Sequence, residues 1–364
     1  MNAKAAVFMG ANRPFEVREF PVTTPPTGYA QLDLIASGVC GTDLHIHNGK
    51  LEESAPAIIG HEFVGRITAV DADEAAAYGL AIGDAVIADI AVPCGECALC
   101  KSGDDANCVN MQVTNGGDIE VAPHLYGGYT EVNYTPLTNL IKVPQGVDPS
   151  VAAVFACPGP TAIHACALAE RANIDLAAMN VAVVQGLGPV GMFAVAYLKR
   201  MGIKKVYAIT TGHNTRRDEA ALALGADRVF SLKADGADNV TAALQAENDG
   251  LGVDLCFEAS GAPQAIAQGL DILRNRGVYL VPGQYSASGG VEIQPQIITF
   301  KALQSLGSSQ YSFPDVHRYV EFLAENPDLQ PKIAALATTY PVERVNEAFC
   351  DANAGKNIKT VLVK

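Results

Sequence analysis

The stretch "VAVVQGLGPVGMFAVAYLKRMG", residues 181–202, constrains the fold more than any other part of the chain. A short apolar run rich in valine leads into a glycine-rich turn, and the turn opens an apolar helical pattern. Gly186, Gly188 and Gly191 fit G-x-G-x-x-G, with Leu187, Pro189 and Val190 between them. Alone this spacing says little, but between a strand and a helix it is the arrangement that binds a dinucleotide. Gly186 would make the tight turn. Gly188 would let the backbone approach a pyrophosphate at the helix N-terminus, and Gly191 would let helix and strand pack closely. The chain continues in the same style. "KKVYAIT" predicts a second strand and "RRDEAALALGA" a helix closed by Gly225. "VDLCFEASG", "PQAIAQGLDILRN" and "GVYLVPG" predict a strand, a helix and a strand. Alternation of this kind specifies an α/β fold with a parallel, doubly wound sheet.

The flanks have a different texture. Before residue 150, "AQLDLIASGV", "GHEFVGRITAV" and "AIGDAVIAD" are short strands punctuated by Gly and Pro, which predicts an irregular β-rich unit. Beyond residue 300, "PDVHRYVEFLAENPDL" predicts a helix and "KTVLVK" a last strand that rejoins that unit. The expected domains are therefore 1–157, with a cysteine lobe at 93–109, completed by 301–364, and a nucleotide-binding domain at 158–300. The 364 residues suffice for two domains.

Charge and hydropathy exclude several partners. No apolar run reaches the roughly 18 residues that span a bilayer. The N-terminal "MNAKAAVFMGANRPFEV" is broken by Asn12, Arg13 and Pro14, a poor signal sequence, so a cytoplasmic location is expected. A net charge of −14 argues against binding nucleic acid or an anionic membrane. In the cytoplasm clustered thiols point to metal or redox chemistry rather than disulfides. "CGECALCKSGDDANC" gathers Cys94, Cys97, Cys100 and Cys108 in a turn-rich loop. Four thiolates so spaced suit tetrahedral zinc, with an iron–sulfur cluster as the rival. A closed four-thiolate site has no open position, so the expected role is structural.

The second strand of the nucleotide domain ends without the acidic residue that grips an NAD ribose. Thr210 and Thr211 stand there, followed by Gly212, His213, Asn214, Arg216 and Arg217; Asp218 and Glu219 come later, inside the helix. Hydroxyls and guanidinium groups suit a 2′-phosphate, which favours NADP over NAD. Earlier, "SGVCGTDLHIHNG" carries Cys40, Thr42, Asp43, His45 and His47, "GHEFVG" carries His61 and Glu62, and "FACPGPTAIHA" carries Cys157. A Cys, a His and a third protein ligand would leave one position open, as catalytic zinc requires.

"GVCGTDLHIH", "GHEFVG", the Cys94–Cys108 loop, "GLGPVG" and "KNIKTVLVK" occur in an order that resembles the zinc-dependent medium-chain alcohol/polyol dehydrogenases along nearly the whole chain. The resemblance implies a GroES-like catalytic domain, a Rossmann coenzyme domain and an active site in the cleft between them. It implies two zinc ions per chain. Cys40, His61 and Cys157, or Glu62 in place of Cys157, would hold the catalytic ion, and the Cys94–Cys108 lobe the structural one. Asp43 would orient the His61 ring. Thr42 would take the alcohol proton and His45 pass it towards solvent. Thr161 and Val190 would touch the nicotinamide and Lys359 would lie near the pyrophosphate. Cys166, Cys256 and Cys350 have no role and are expected to be buried. The implied reaction is hydride transfer between a primary or secondary alcohol, or its carbonyl, and NAD(P), in a homo-dimer or homo-tetramer. A sugar, polyol or threonine-type dehydrogenase using NAD is the alternative substrate class. A zinc lyase or enoyl reductase on the same fold, and a non-catalytic zinc- and cofactor-binding scaffold, are the alternatives of other kinds. A scaffold has no use for the complete Cys40–Thr42–His45–His61–Glu62 set.

Overall fold

Strands β1 (Asn2–Val7) and β2 (Glu16–Pro21) pair antiparallel at the start of the chain. In β3 (Tyr29–Gly38) buried residues alternate with half-buried ones, the pattern of a strand with one face on a core. It pairs antiparallel with β4 (Phe63–Ala69), which pairs in turn with β5 (Ala85–Ala88). Next, β6 (Ala91–Val92) and β7 (Gln112–Val113) form a small ladder that frames the cysteine loop. β8 (Val132–Pro136) pairs with β3, and β9 (Leu140–Lys142) with β5. The computed structural model describes residues 1–286 and 288–364, and these divide into two units, one of Met1–Cys157 with Ser312–Lys364 and one of Pro158–Tyr311.

The second unit is the predicted doubly wound sheet. Its strands are β10 (Val181–Gln185), β11 (Lys205–Thr210), β12 (Arg228–Ser231), β13 (Val253–Glu258), β14 (Leu273–Val281) and β15 (Gln304–Gly307). All are parallel, in the order β12-β11-β10-β13-β14-β15. Every residue of β10 and β13 is buried, as central strands covered on both faces must be. Helices Pro189–Arg200 and Thr215–Leu224 make the crossovers on either side of β11. Val183, Ile209, Phe230, Leu244 and Tyr279 belong to a core cluster of this unit alone.

The chain then returns to the first unit through β16 (Ala337–Pro341) and β17 (Lys359–Val363). β17 lies between β16 and β3, opposite Ser37 and Gly38, so the last residues of the chain complete the first sheet. The boundary falls at Ser312 rather than at the expected 301, because β15 pairs in register with β14. Ser312 then starts helix Phe313–Glu325, its amide donating to Asp315 at 2.9 Å. Cys166 and Cys256 are buried as expected, but Cys350 is exposed, on the solvent side of helix Val345–Asn353. Among the described residues no helix is long and apolar enough to cross a membrane.

Candidate functional site

Where β3 ends, the chain turns at Val39 and Cys40 and enters the short helix Gly41–His47. Asp43, on the first turn, accepts the Cys40 amide on Oδ2 at 2.8 Å and is itself buried. Across from it, Gly60 takes a φ of +99°, and His61 and Glu62 lead directly into β4. His61 Nδ1 lies 3.3 Å from Asp43 Oδ1, which leaves Nε2 as the ring nitrogen open to a metal. The Cys157 sulfur comes to 4.0 Å from that of Cys40. Donor atoms of Cys40, His61, Glu62 and Cys157 all lie within 4.8 Å of one another. A tetrahedral ion with Zn–S bonds of about 2.3 Å sets its sulfurs roughly 3.8 Å apart, so the spacing fits zinc.

Protons are divided unevenly among these donors, with one thiol favoured as thiolate and the other donors pushed towards their protonated forms. A hydrogen bond from Cys157 holds Cys40 well below the ordinary thiol range, with the charges of His61 and Lys359 acting the same way against burial. That bond and burial push Cys157 well above it. Burial opposes a charged His61, but Asp43 and Cys40 outweigh it and raise the imidazole well above its usual value. Burial lifts Glu62 to about 7 against the pull of Lys359. Glu62 Oε2 takes the Lys359 ammonium, while Oε1 is buried with no hydrogen-bond partner. A buried carboxylate oxygen left bare beside two thiols and an imidazole is what a cation would satisfy.

Lys359 has partners that the sequence did not suggest: its side chain is 1% exposed and engaged by Glu62 and the Val39 carbonyl, the latter at 3.2 Å, at the edge of the cysteine–histidine cluster. Thr42 lies 3.8 Å from the Cys40 sulfur, and Thr42 and His45 are both half-buried on the Gly41–His47 helix. Tyr129, which the sequence did not mark, donates its hydroxyl to Asp43 Oδ2 at 2.6 Å.

The cysteine lobe forms a second donor set. Cys94, Cys97, Cys100 and Cys108 also bring their sulfurs within 4.8 Å of one another. Backbone amides point at them: Cys94 N–H at Cys108 (3.2 Å), Cys97 N–H at Cys94 and Cys100 N–H at Cys97 (both 3.4 Å). Amide donors of this kind stabilise thiolates. Those of Cys100 and Val109 bring Cys97 down to about 6, whereas burial and the neighbouring thiols push Cys100 up to about 12. One metal ion would resolve that conflict by taking all four as thiolates.

In the parallel-sheet unit the glycine turn has the predicted geometry. Gly186 has a φ of +90°, and a Cβ there would stand 2.6 Å from Ser260 Cα. A Cβ on Gly191 would meet the Gly186 carbonyl at 1.9 Å, whereas Gly188 faces open space. Pro189 and Val190 begin the helix. Thr210 ends β11 nearly buried, and Thr211, His213 and Arg216 are exposed beyond it. Arg217 reaches back to donate to the Leu187 carbonyl at 3.0 Å, bringing its guanidinium onto the turn itself. Asp218, on the same helix, hydrogen-bonds Thr210, a contact the sequence did not suggest. Thr161 is half-buried on the first turn of helix Pro158–Arg171.

Residues 27–145 match the family described as alcohol dehydrogenase GroES-like domain, and residues 189–325 the family described as zinc-binding dehydrogenase. A 5-exo-hydroxycamphor dehydrogenase of Pseudomonas putida is 29% identical over 99% of this chain and 98% of its own length. An L-threonine 3-dehydrogenase of Xanthomonas euvesicatoria pv. vesicatoria is 30% identical over 84% of this chain and 83% of its own. The crystal structure of an alcohol dehydrogenase from Thermotoga maritima superposes with a TM-score of 0.89 at 26% identity, covering 100% of this chain and 99% of that one.

Proposed function

The chain belongs to the zinc-dependent medium-chain dehydrogenase/reductase family and is an oxidoreductase of its alcohol dehydrogenase type; from that premise we propose which of its residues do the work. Cys40, His61 and Cys157 would hold a catalytic zinc, with Glu62 beside them as a further carboxylate donor. The observation that carries this assignment is the close donor set together with the unpartnered Glu62 oxygen. When bound, the ion supplies Lewis acidity that lets an alcohol hydroxyl ionise near neutral pH. Asp43 fixes the His61 ring through Nδ1. The Thr42 hydroxyl accepts the substrate proton as it gives up its own, so that it relays the proton without becoming charged. His45, whose pKa is lowered by burial and then by Lys50, is neutral at pH 7 and ready to carry that proton outward. The second zinc is held by Cys94, Cys97, Cys100 and Cys108 and stabilises the lobe.

The glycine turn and helix Pro189–Arg200 bind the coenzyme pyrophosphate. NADP is the preferred coenzyme: Thr210 and Thr211 offer no carboxylate, and exposed Arg216 with the turn-bound Arg217 supplies guanidinium groups for a 2′-phosphate. The substrate is a secondary alcohol, the class that the names of both dehydrogenase relatives share. A panel of secondary and primary alcohols, followed by nicotinamide absorbance with NADP and NAD in parallel, tests the whole reading. Secondary alcohols with NADP should turn over fastest. Cys40→Ala and His61→Ala should abolish turnover while the protein still binds coenzyme. Activity surviving in either variant refutes the zinc assignment, and faster turnover with NAD refutes the coenzyme assignment.

A further inference from the structure

Tyr129 follows Gly127 and Gly128 in "YGGYT" and is completely buried. Its ring occupies the space that a Cβ on Gly60 would need, 2.6 Å away. Phe15 and Phe349 meet it edge to face, with ring centroids at 6.2 and 5.7 Å. Packed from these sides, the ring has one place to put its hydroxyl, on Asp43 Oδ2 at 2.6 Å. That oxygen already accepts the Cys40 amide at 2.8 Å. Two donors on Oδ2 fix the carboxylate plane, and Oδ1 is left facing His61 Nδ1 at 3.3 Å.

We propose that Tyr129 is a positioning residue for the metal centre: its hydroxyl locks the Asp43 carboxylate, and the locked carboxylate holds His61 with Nε2 turned to the zinc. The inference rests on the reading of His61 as a ligand. Burial and the Asp43 charge push the Tyr129 phenol well above its usual range, so it remains a donor across the working pH range. Without the hydroxyl, Asp43 keeps one donor on Oδ2 and can turn, and the imidazole turns with it. Partners one step behind a ligating histidine commonly govern metal affinity or activity by roughly tenfold to hundredfold.

Tyr129→Phe removes the hydroxyl and leaves the ring packed against Gly60. Chelator competition should show zinc held by the Cys40–His61–Cys157 site roughly tenfold to hundredfold more weakly, with the four-cysteine lobe and coenzyme binding unchanged. The visible spectrum of the same site loaded with cobalt should shift, which a simple loss of stability does not cause. Since Tyr129 acts through Asp43, the variant carrying both Tyr129→Phe and Asp43→Asn should be no worse than Asp43→Asn alone. An unchanged affinity and spectrum in Tyr129→Phe, or strictly additive losses in the double variant, overturns the proposal. His61→Ala separates the two levels: if it empties the site the ligand reading stands whatever Tyr129→Phe does, and if it retains the ion both fall.

Discussion

Single atoms decide how the buried charges around Cys40, His61 and Glu62 are accommodated. Gly38 lies where β3 meets the Glu62–Lys359 pair, and a Cβ there would stand 1.8 Å from Glu62 Oε2 and 2.8 Å from Lys359 Cε. Both side chains are buried and bound to each other, so neither can swing into solvent to make room. Gly38→Ala should therefore destabilise the protein by about 1–3 kcal/mol, the usual range for overpacking, and displace Glu62 from the donor cluster. A denaturant midpoint equal to that of the parent protein contradicts this. The zinc-ligand candidates were legible because cysteine and histidine are scarce and their spacing is chemically restrictive. Lys359 and Tyr129 were not. Lys359 comes from 297 residues away in sequence to meet Glu62, and Tyr129 from 86 away to meet Asp43. A lone lysine in a terminal strand and a lone tyrosine after two glycines carry no local sign of such partners.

Elements with a full hydrophobic period could be read and short ones could not. β10 appears in the sequence as a continuous apolar run, β13 as the apolar Leu255–Phe257 flanked by Asp254 and Glu258, and the helices between them as period-3.6 patterns. β15, "QSLG", has no apolar alternation and is half exposed, so its place at the sheet edge comes from pairing with β14 alone, and the domain boundary was misplaced with it. The cysteine lobe is another element with little core of its own: β6 and β7 span two residues each, and the proposed zinc would do there what packing does elsewhere. On the proposal of two zincs per chain, Cys97→Ser should lower the zinc content to one and leave coenzyme affinity unaltered. Elemental analysis that still finds two contradicts the structural-zinc assignment. In the parallel sheet, Asp254 on β13 joins three strands. Its carboxylate accepts the amides of Asn180 and Val181 at 3.0 and 2.9 Å and pairs with Arg274 on β14. Burial alone would raise its pKa, but the Arg274 bond and the Val181 amide prevail and lower it. A depressed carboxylate stabilises the fold above its unfolded pKa and loses that contribution as pH falls through the folded value. Asp254→Asn should thus weaken the protein at pH 7 by about 1.5–3 kcal/mol, the range for bonds to a charged group, and the deficit should shrink below about pH 4. Denaturant titrations at pH 7 and pH 3 check the sign.

On the scale of the whole molecule the two units differ in how the chain builds them. The Pro158–Tyr311 unit is continuous, contains all six of its strands and buries its own core cluster. The other is interrupted: β16 and β17 arrive only after the parallel sheet is complete, and β17 fills the place beside β3. The sequence announced both the return and its final strand, because "KTVLVK" is a clean β run. It could not announce that this strand also delivers Lys359 to Glu62, since that depends on register. The two fragments should consequently behave differently. Residues 158–311 alone should fold, melt cooperatively by circular dichroism and bind the coenzyme, because the packing of Gly186 on Ser260, of Gly191 on Gly186 and the Arg217–Leu187 hydrogen bond lie within them. Residues 1–157 alone should not. They leave Ser37 and Gly38 at the end of β3 without their β17 partners, which invites aggregation, and leave the Glu62 carboxylate buried without its ammonium partner. Adding residues 312–364 as a separate peptide should recover soluble, folded material by restoring both. A cooperative melt from 1–157 without that peptide is incompatible with a first unit that needs the end of the chain to close its sheet.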